Sequence, residues 1–153
     1  MNHFVLVKQP GFSRAGKQVP ARAAAESILK AGFWPLWRNS RNRRAIKQGD
    51  QVAVYLAGDS EVVAQATVAD VEPWTRLHET TYPLQLDGVP FGVLTLRDIH
   101  FLAKPVRVKL IKDGLSFIRP GSRKWGAGFM GGSRSITAED FQLLTGQAAL
   151  ESM

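Results

Sequence analysis

Residues Gly32 to Ala57 read GFWPLWRNSRNRRAIKQGDQVAVYLA. The first part of this stretch holds two of the four tryptophans, Trp34 and Trp37. Arg38, Arg41, Arg43, Arg44 and Lys47 follow, and no acid intervenes before Asp50. Aromatic faces beside clustered guanidiniums suit a nucleobase that stacks on a ring while its phosphates pair with the arginines. An amphipathic helix end with a solvated basic face is the plainer reading of the same residues. Gly49 and Asp50 then make a turn, and QVAVYLA is an apolar run of strand length.

Moving toward the C-terminus, Glu61 to Val71 (EVVAQATVADV) is a second strand, with β-branched residues at Val63, Thr67 and Val68. Asp59 and Ser60 join the two strands as a hairpin. Pro73 ends the second strand before Trp74. From Thr75 to Arg97 the pattern is irregular, broken by Pro83, Gly88 and Pro90. Val106 to Ile111 alternates and predicts a half-buried strand, and Leu115 to Ile118 a short apolar one. Gly121 to Ser135 reads as a glycine-rich basic loop. Thr137 caps a last helix, with Glu139 and Asp140 in its first turn and Phe141, Leu143 and Leu144 on its apolar side. Residues 147–153 read as a frayed tail.

Toward the N-terminus, His3 to Val7 is an apolar run closed by Lys8, Gln9, Pro10 and Gly11, which predicts a strand ending in a turn. Pro20 to Ala31 predicts a helix: alanine favours it, Pro20 suits the first turn and Gly32 stops it. Residues Arg41 to Lys47 fit a second, short helical turn. There is no repeat, linker or low-complexity tract, so the chain reads as a single domain over residues 1–153. Many short strands with peripheral helices predict an α+β fold, a small mixed β-barrel rather than a doubly wound sheet.

The chain has 153 residues, enough for a core without staples. Hydrophobic residues make up 44% and charged residues 22%, a globular composition. Twenty basic residues against 13 acidic give a net charge of +7, which points to a polyanionic partner, nucleic acid first. No segment approaches the roughly 18 apolar residues of a spanning helix, so no membrane partner is expected. The N-terminus lacks the pattern of a signal peptide. Cysteine is absent, which excludes disulfides and a thiolate metal site. A cytoplasmic protein is the simplest expectation.

Several segments, taken together, resemble a known family. The run Trp34, Arg38-Asn39, Asn42-Arg43, Ala45-Ile46-Lys47, Gly49-Asp50, followed by VAVYL, is similar to the first half of EVE domains. These belong to the PUA-like superfamily and are related to YTH and ASCH domains. The opening FVLVKQPG resembles the family's first strand, which ends in a lysine-bearing turn. LSFIRPGSRKWGAGFMGGSRSITAEDFQLL resembles the close of one EVE branch. The likeness runs in matching order over nearly the whole chain, although residues 74–102 match nothing specific and SRNRR carries extra arginine. It implies a PUA-like mixed β-barrel of about five to seven strands with two or three flanking helices. It also implies a concave pocket that accepts one flipped, modified base between aromatic side chains.

On that resemblance Trp34 is the first candidate for a pocket wall, against a plainer role capping the core. Trp37 ranks lower, because in an extended segment it faces away from Trp34. Trp74 is a candidate to close the sandwich, by analogy with YTH relatives, and Trp125 is a candidate within the basic glycine-rich loop. Lys8 joins the pocket group from the lysine-bearing turn. Asn39 and Ser40 suit a base edge, and equally suit the N-cap of a following turn. Arg38, Arg41, Arg43, Arg44, Arg119, Arg123, Lys124 and Arg134 are the phosphate candidates.

Catalytic and cofactor signals are thin. His3, His78 and His100 lack metal-ligand spacing, so neither metal nor cofactor is expected. Gly126-x-Gly128-x-x-Gly131 matches a dinucleotide fingerprint in letters only, since no βαβ unit follows. The favoured function is therefore a non-catalytic nucleic-acid-binding module for a modified base, a modified cytosine in DNA or a modified base in RNA. Two alternatives stand beside it. One is an enzyme on a nucleotide or RNA using Asp98, His100 or Glu79. The other is a docking domain for a small molecule or an acidic protein.

Overall fold

The computed structural model describes residues 1–37, 44–130 and 132–146. Its centre is a mixed six-stranded sheet. The first strand, β1 (His3–Lys8), lies beside β5 (Gln51–Leu56) in the only parallel pairing of the sheet among the described residues. β5 pairs antiparallel with β6 (Glu61–Glu72), and β6 with β7 (Gly92–Arg107). β4 (Phe33–Leu36) forms one edge against β7, and β8 (Ser133–Ile136) the other edge against β1. The order is therefore β4-β7-β6-β5-β1-β8. A small hairpin of β2 (Gly11–Phe12) and β3 (Gln18–Val19) stands apart.

Both faces of the sheet are covered, which is why its central strands read as continuous apolar runs rather than alternating ones. Alternation along β1 sends Phe4 and Leu6 into a first core and Val5 into a second. The first core receives α1 (Ala21–Ala31), whose buried face is Ala21, Ala24, Ala25, Ile28 and Leu29. Burying an Ile or Leu side chain of this kind contributes about 1.5–3 kcal/mol. Gly32 ends α1 in the left-handed region at φ 83°, and its N–H donates to the Ile28 and Leu29 carbonyls. That turn throws the chain straight into β4 and so sets the position of Trp34.

The second core lies under three C-terminal pieces. These are the single-turn α3 (Val108–Ile111), the 3₁₀ turn Trp125–Phe129, and α4 (Ala138–Leu144). α4 carries the expected cap: Asp140 N donates to Thr137 Oγ1 at 3.0 Å, and Thr137 N donates back to the Asp140 carboxylate at 3.1 Å. Asp140 also accepts from Ser116 N at 2.8 Å and Ser116 Oγ at 2.6 Å. Burial pushes this carboxyl up, but the bonds from Ser116 and Thr137 outweigh it, and it sits below its ordinary value.

The expected α+β class and mixed sheet are found, and four sequence expectations are corrected. Of Val106 to Ile111, only Val106 and Arg107 are strand, the end of β7. β7 ends at Arg107 because its partner β6 begins at Glu61; Val108 N donates to Ser60 O at 3.0 Å and the chain coils into α3. Leu115 to Ile118 is a turn, closed by Ile118 N to Leu115 O at 3.3 Å, and Leu115 and Ile118 are buried at helical rather than strand spacing. The glycine-rich loop contains both the 3₁₀ turn and β8. The irregular stretch after Thr75 holds α2 (Arg76–Thr81) and the start of β7. Of the helical turn expected over residues 41–47, residues 41–43 lie outside the described residues; Arg44 and Ala45 form a turn, and residues 44–47 are not helical. Three register shifts between β6 and β7 bend the sheet, and Asp98 takes φ 51° at one of them.

Candidate functional site

The strand order puts β4 and β8 at opposite edges of the sheet. A single cleft is nevertheless lined by both: by Trp34, Pro35 and Leu36 of β4, and by Gly132 and Ser133 where β8 begins. The sheet thus curls until its two edges face each other across a seam, and the cleft is that seam. The C-terminal end of β1 supplies Leu6, Val7 and Lys8, and α1 supplies Ile28 beneath. Trp37 and Tyr82 complete the walls. Val7 N donates to Gly132 O at 2.8 Å, and Gly132 sits at φ 81°, a backbone conformation that favours glycine. The cavity at the bottom of the seam measures about 70 Å³.

Trp34 serves both roles weighed for it. It is only 5% exposed, packs in the first core, and still lines the seam. Trp37 lines the seam as well, contrary to the expectation that it faces away. β4 ends at Leu36, so Trp37 lies beyond the regular pleat and strand alternation no longer fixes its side. The ring that sequence reading missed is Tyr82. It follows α2, the short helix absent from the expected pattern. Burial pushes its hydroxyl up to about 12, so it stays a protonated donor at neutral pH.

Trp74 does not line the cavity. It stands behind Tyr82, edge-on at 6.0 Å and 74°, and packs on Phe33 and His78. Its indole N–H is buried without a partner among the described residues. Trp125 lies on the other side of the sheet, edge-on to Phe129 at 6.4 Å in the second core, away from the seam. Asn39 and Ser40 lie outside the described residues, as do Arg38, Arg41 and Arg43.

Lys8 is brought to the cavity. On β1 it follows Phe4 and Leu6 at strand alternation, so it points to the first-core side. Burial pulls its ammonium below the ordinary lysine value. Arg44 sits over the Phe91 ring at 5.8 Å, and Phe91 N donates to Leu36 O at 2.7 Å, so this cation flanks the β4 side of the seam. Arg119, Arg123 and Lys124 are exposed on the approach to the 3₁₀ turn, beside the second core. Arg134 pairs in register with Val5 and so faces the second core. Its guanidinium lies 4.4 Å from the Phe117 ring centre and reaches Gly128 O at 3.4 Å, which commits it to packing.

The Tyr82 wall is held by a residue with no sequence signal. Arg14, next to the β2 strand, donates from Nε and Nη2 to Tyr82 O at 3.0 and 2.7 Å, and from Nη2 to Glu79 O and Thr80 O at 2.9 and 2.7 Å. Gln85 N to Phe12 O at 2.9 Å and the Ser13–Leu84 bridge tie the same hairpin to the same segment. Glu79, Asp98 and His100 are exposed and do not line the seam. Among the described residues no three acidic or histidine side chains gather as a metal site, and no helix is long and apolar enough to cross a membrane.

No family model matches the sequence, and no curated protein matches it. Solved structures match over almost its whole length. The human THYN1 protein, in complex with DNA containing 5-methylcytosine, superposes with a TM-score of 0.58 at 11% identity, over 96% of this chain and 97% of that one. ASCH from Zymomonas mobilis gives 0.59 at 12% identity, over 95% and 94%. The YTH domain-containing protein mmi1, in complex with RNA, gives 0.56 at 13% identity, over 99% and 86%. At these identities the likeness concerns the fold. The chain adopts the PUA-like fold that these proteins share, the fold its resemblance to EVE domains implied.

Proposed function

We propose that this chain is a non-catalytic nucleic-acid-binding module that takes one flipped, modified base, a modified cytosine in DNA or a modified RNA base, at the seam of its curled sheet. The observation that carries this reading is the convergence of Trp34, Trp37 and Tyr82 with the Lys8 cation at one cleft. Base stacking on such rings contributes about 1–3 kcal/mol per base. The net charge of +7 supplies the sequence-independent attraction to phosphates. That fold neighbours are seen with methylated DNA and with RNA agrees with this use of the fold.

The cavity of about 70 Å³ is smaller than a whole base needs. Ligand pockets usually hold about 300 Å³ or more. The base therefore enters edge first, and the half-buried Trp37 side chain rotates to admit the rest; such rotamer changes are common on binding. The small cavity, with Leu77 69% and Val89 74% exposed, favours protein docking as the second reading. Fluorescence anisotropy with single-stranded oligonucleotides carrying one modified or one plain base separates the two. We expect tighter binding of the modified strand, lost in Trp37→Ala. Equal binding of both strands by the wild-type chain rejects the base-reading proposal, and no binding of either leaves docking.

A further inference from the structure

The polar groups of the seam are one-sided. Lys8 brings an ammonium, Tyr82 a phenol and Ser133 a hydroxyl, and none of the described lining residues is a carboxylate or a carboxamide. The ion pairs described in the structure, Arg22–Glu61, Arg97–Asp98 and Lys112–Asp113, leave Lys8 with no acidic partner among the described residues. Its Nζ lies beside Gly11: a Cβ placed there would be 3.8 Å from it. A half-buried cation without a counter-charge is costly, and any acceptor that reaches it removes that cost. The cavity is too small for a second ring but large enough for a substituent on a ring edge. Burial lowers the affinity of the Lys8 amine for its proton, which an anion beside it would restore.

We propose that the seam selects a pyrimidine whose 5-substituent is an anionic oxygen acceptor, a carboxylate, which enters the cavity and pairs with the Lys8 ammonium. This proposal rests on the reading of the seam as a base site and adds the chemistry of the base. Lys8 is then the specificity-determining residue, Tyr82 a second donor to the same group, and the indoles the walls along which the ring slides. A methyl group in the same place meets the ammonium without replacing its lost water, so methylcytosine is the weaker ligand.

The test uses the full chain and single-stranded DNA with one central 5-carboxycytosine, 5-methylcytosine or cytosine, at fixed pH and salt. The wild-type chain should bind the carboxyl strand about ten-fold more tightly than the methyl strand, the scale of one shielded charge-assisted hydrogen bond. Lys8→Met should bring that ratio close to one, with the larger loss falling on the carboxyl strand. Lys8→Gln, which keeps a neutral donor, should fall between. A ratio near one in the wild-type chain, with both modified strands bound better than cytosine, overturns the proposal and leaves the base site standing. A large ratio that survives in Lys8→Met and Lys8→Gln also overturns it, assigning the preference to surface charge. No discrimination among the three strands overturns the base site itself, and this proposal with it. The wild-type comparison needs no variant, so a misfolded substitution does not blunt the test.

Discussion

Replacing Arg14 by Ala removes the fork that holds the Tyr82 wall. Four contacts run from its guanidinium to three carbonyls, those of Glu79, Thr80 and Tyr82. Three of the four leave Nη2, which carries two hydrogens, so three N–H groups serve the whole set. The contacts to Tyr82 O are half-buried and the other two are exposed. Charge-assisted hydrogen bonds contribute about 1.5–3 kcal/mol when shielded, and exposed ones well under 1 kcal/mol. The carbonyls also close α2, where a cation adds about 0.3–1 kcal/mol. Arg14→Ala should therefore lower stability by about 2–3 kcal/mol. Urea unfolding followed by tryptophan fluorescence would show the midpoint falling by about 0.7–3 M, for a slope of about 1–3 kcal/mol/M. Arg14→Lys keeps the charge but not the fork and should recover less than half of the loss. A loss below about 0.5 kcal/mol, or full recovery by lysine, would refute the clamp.

Other perturbations have defined outcomes. Asp140→Asn should cost about 2–4 kcal/mol near neutral pH, because its bonds to Ser116 and Thr137 weaken. The folded carboxyl sits below 3.8, so its stabilisation is present above that value and is lost as pH falls through the lower folded value; the gap between wild type and variant should close in acid melts. Gly32→Ala adds a Cβ with nothing within 4 Å, so its cost is backbone strain alone, about 1 kcal/mol in thermal unfolding. Replacing Arg119, Arg123 and Lys124 by alanine should reduce the slope of log K against log salt by about 2–3 if all three neutralise phosphates. Arg134→Ala should lower the melting temperature and leave that slope unchanged, since its guanidinium packs on Phe117.

Elements with strong local signals were legible in the chain. β1, α1, β5, β6 and α4 follow from apolar runs, alanine content, the Gly32 stop and the Thr137 cap. β4 was not legible, because four residues with a proline give no periodicity; Pro35 is tolerated there because β4 is an edge strand. β7 was legible only at its last two residues, Val106 and Arg107, because its first residues follow Pro90 and its register slips three times against β6. The site divides in the same way. Lys8 and Trp34 were marked by the family resemblance and both line the seam. Trp37 was undervalued by a pleat argument that stops applying one residue past the strand. Tyr82, Gly132 and Ser133 reach the seam only through long-range closure of the sheet, which no local pattern encodes. Trp74 and Trp125 carried the right chemistry, but the fold spends one behind Tyr82 and the other in the second core.

The four tryptophans provide the most direct measurement of the central claim, because the curled sheet separates them. Their indole N–H signals, assigned by single Trp→Phe replacements, would be followed by ¹⁵N NMR as a modified oligonucleotide is added. The Trp34 and Trp37 signals should shift together and saturate, and shift further than that of Trp125, which lies across the sheet. Movement of the Trp125 signal with the seam pair silent would contradict a base site between the two edges of the sheet.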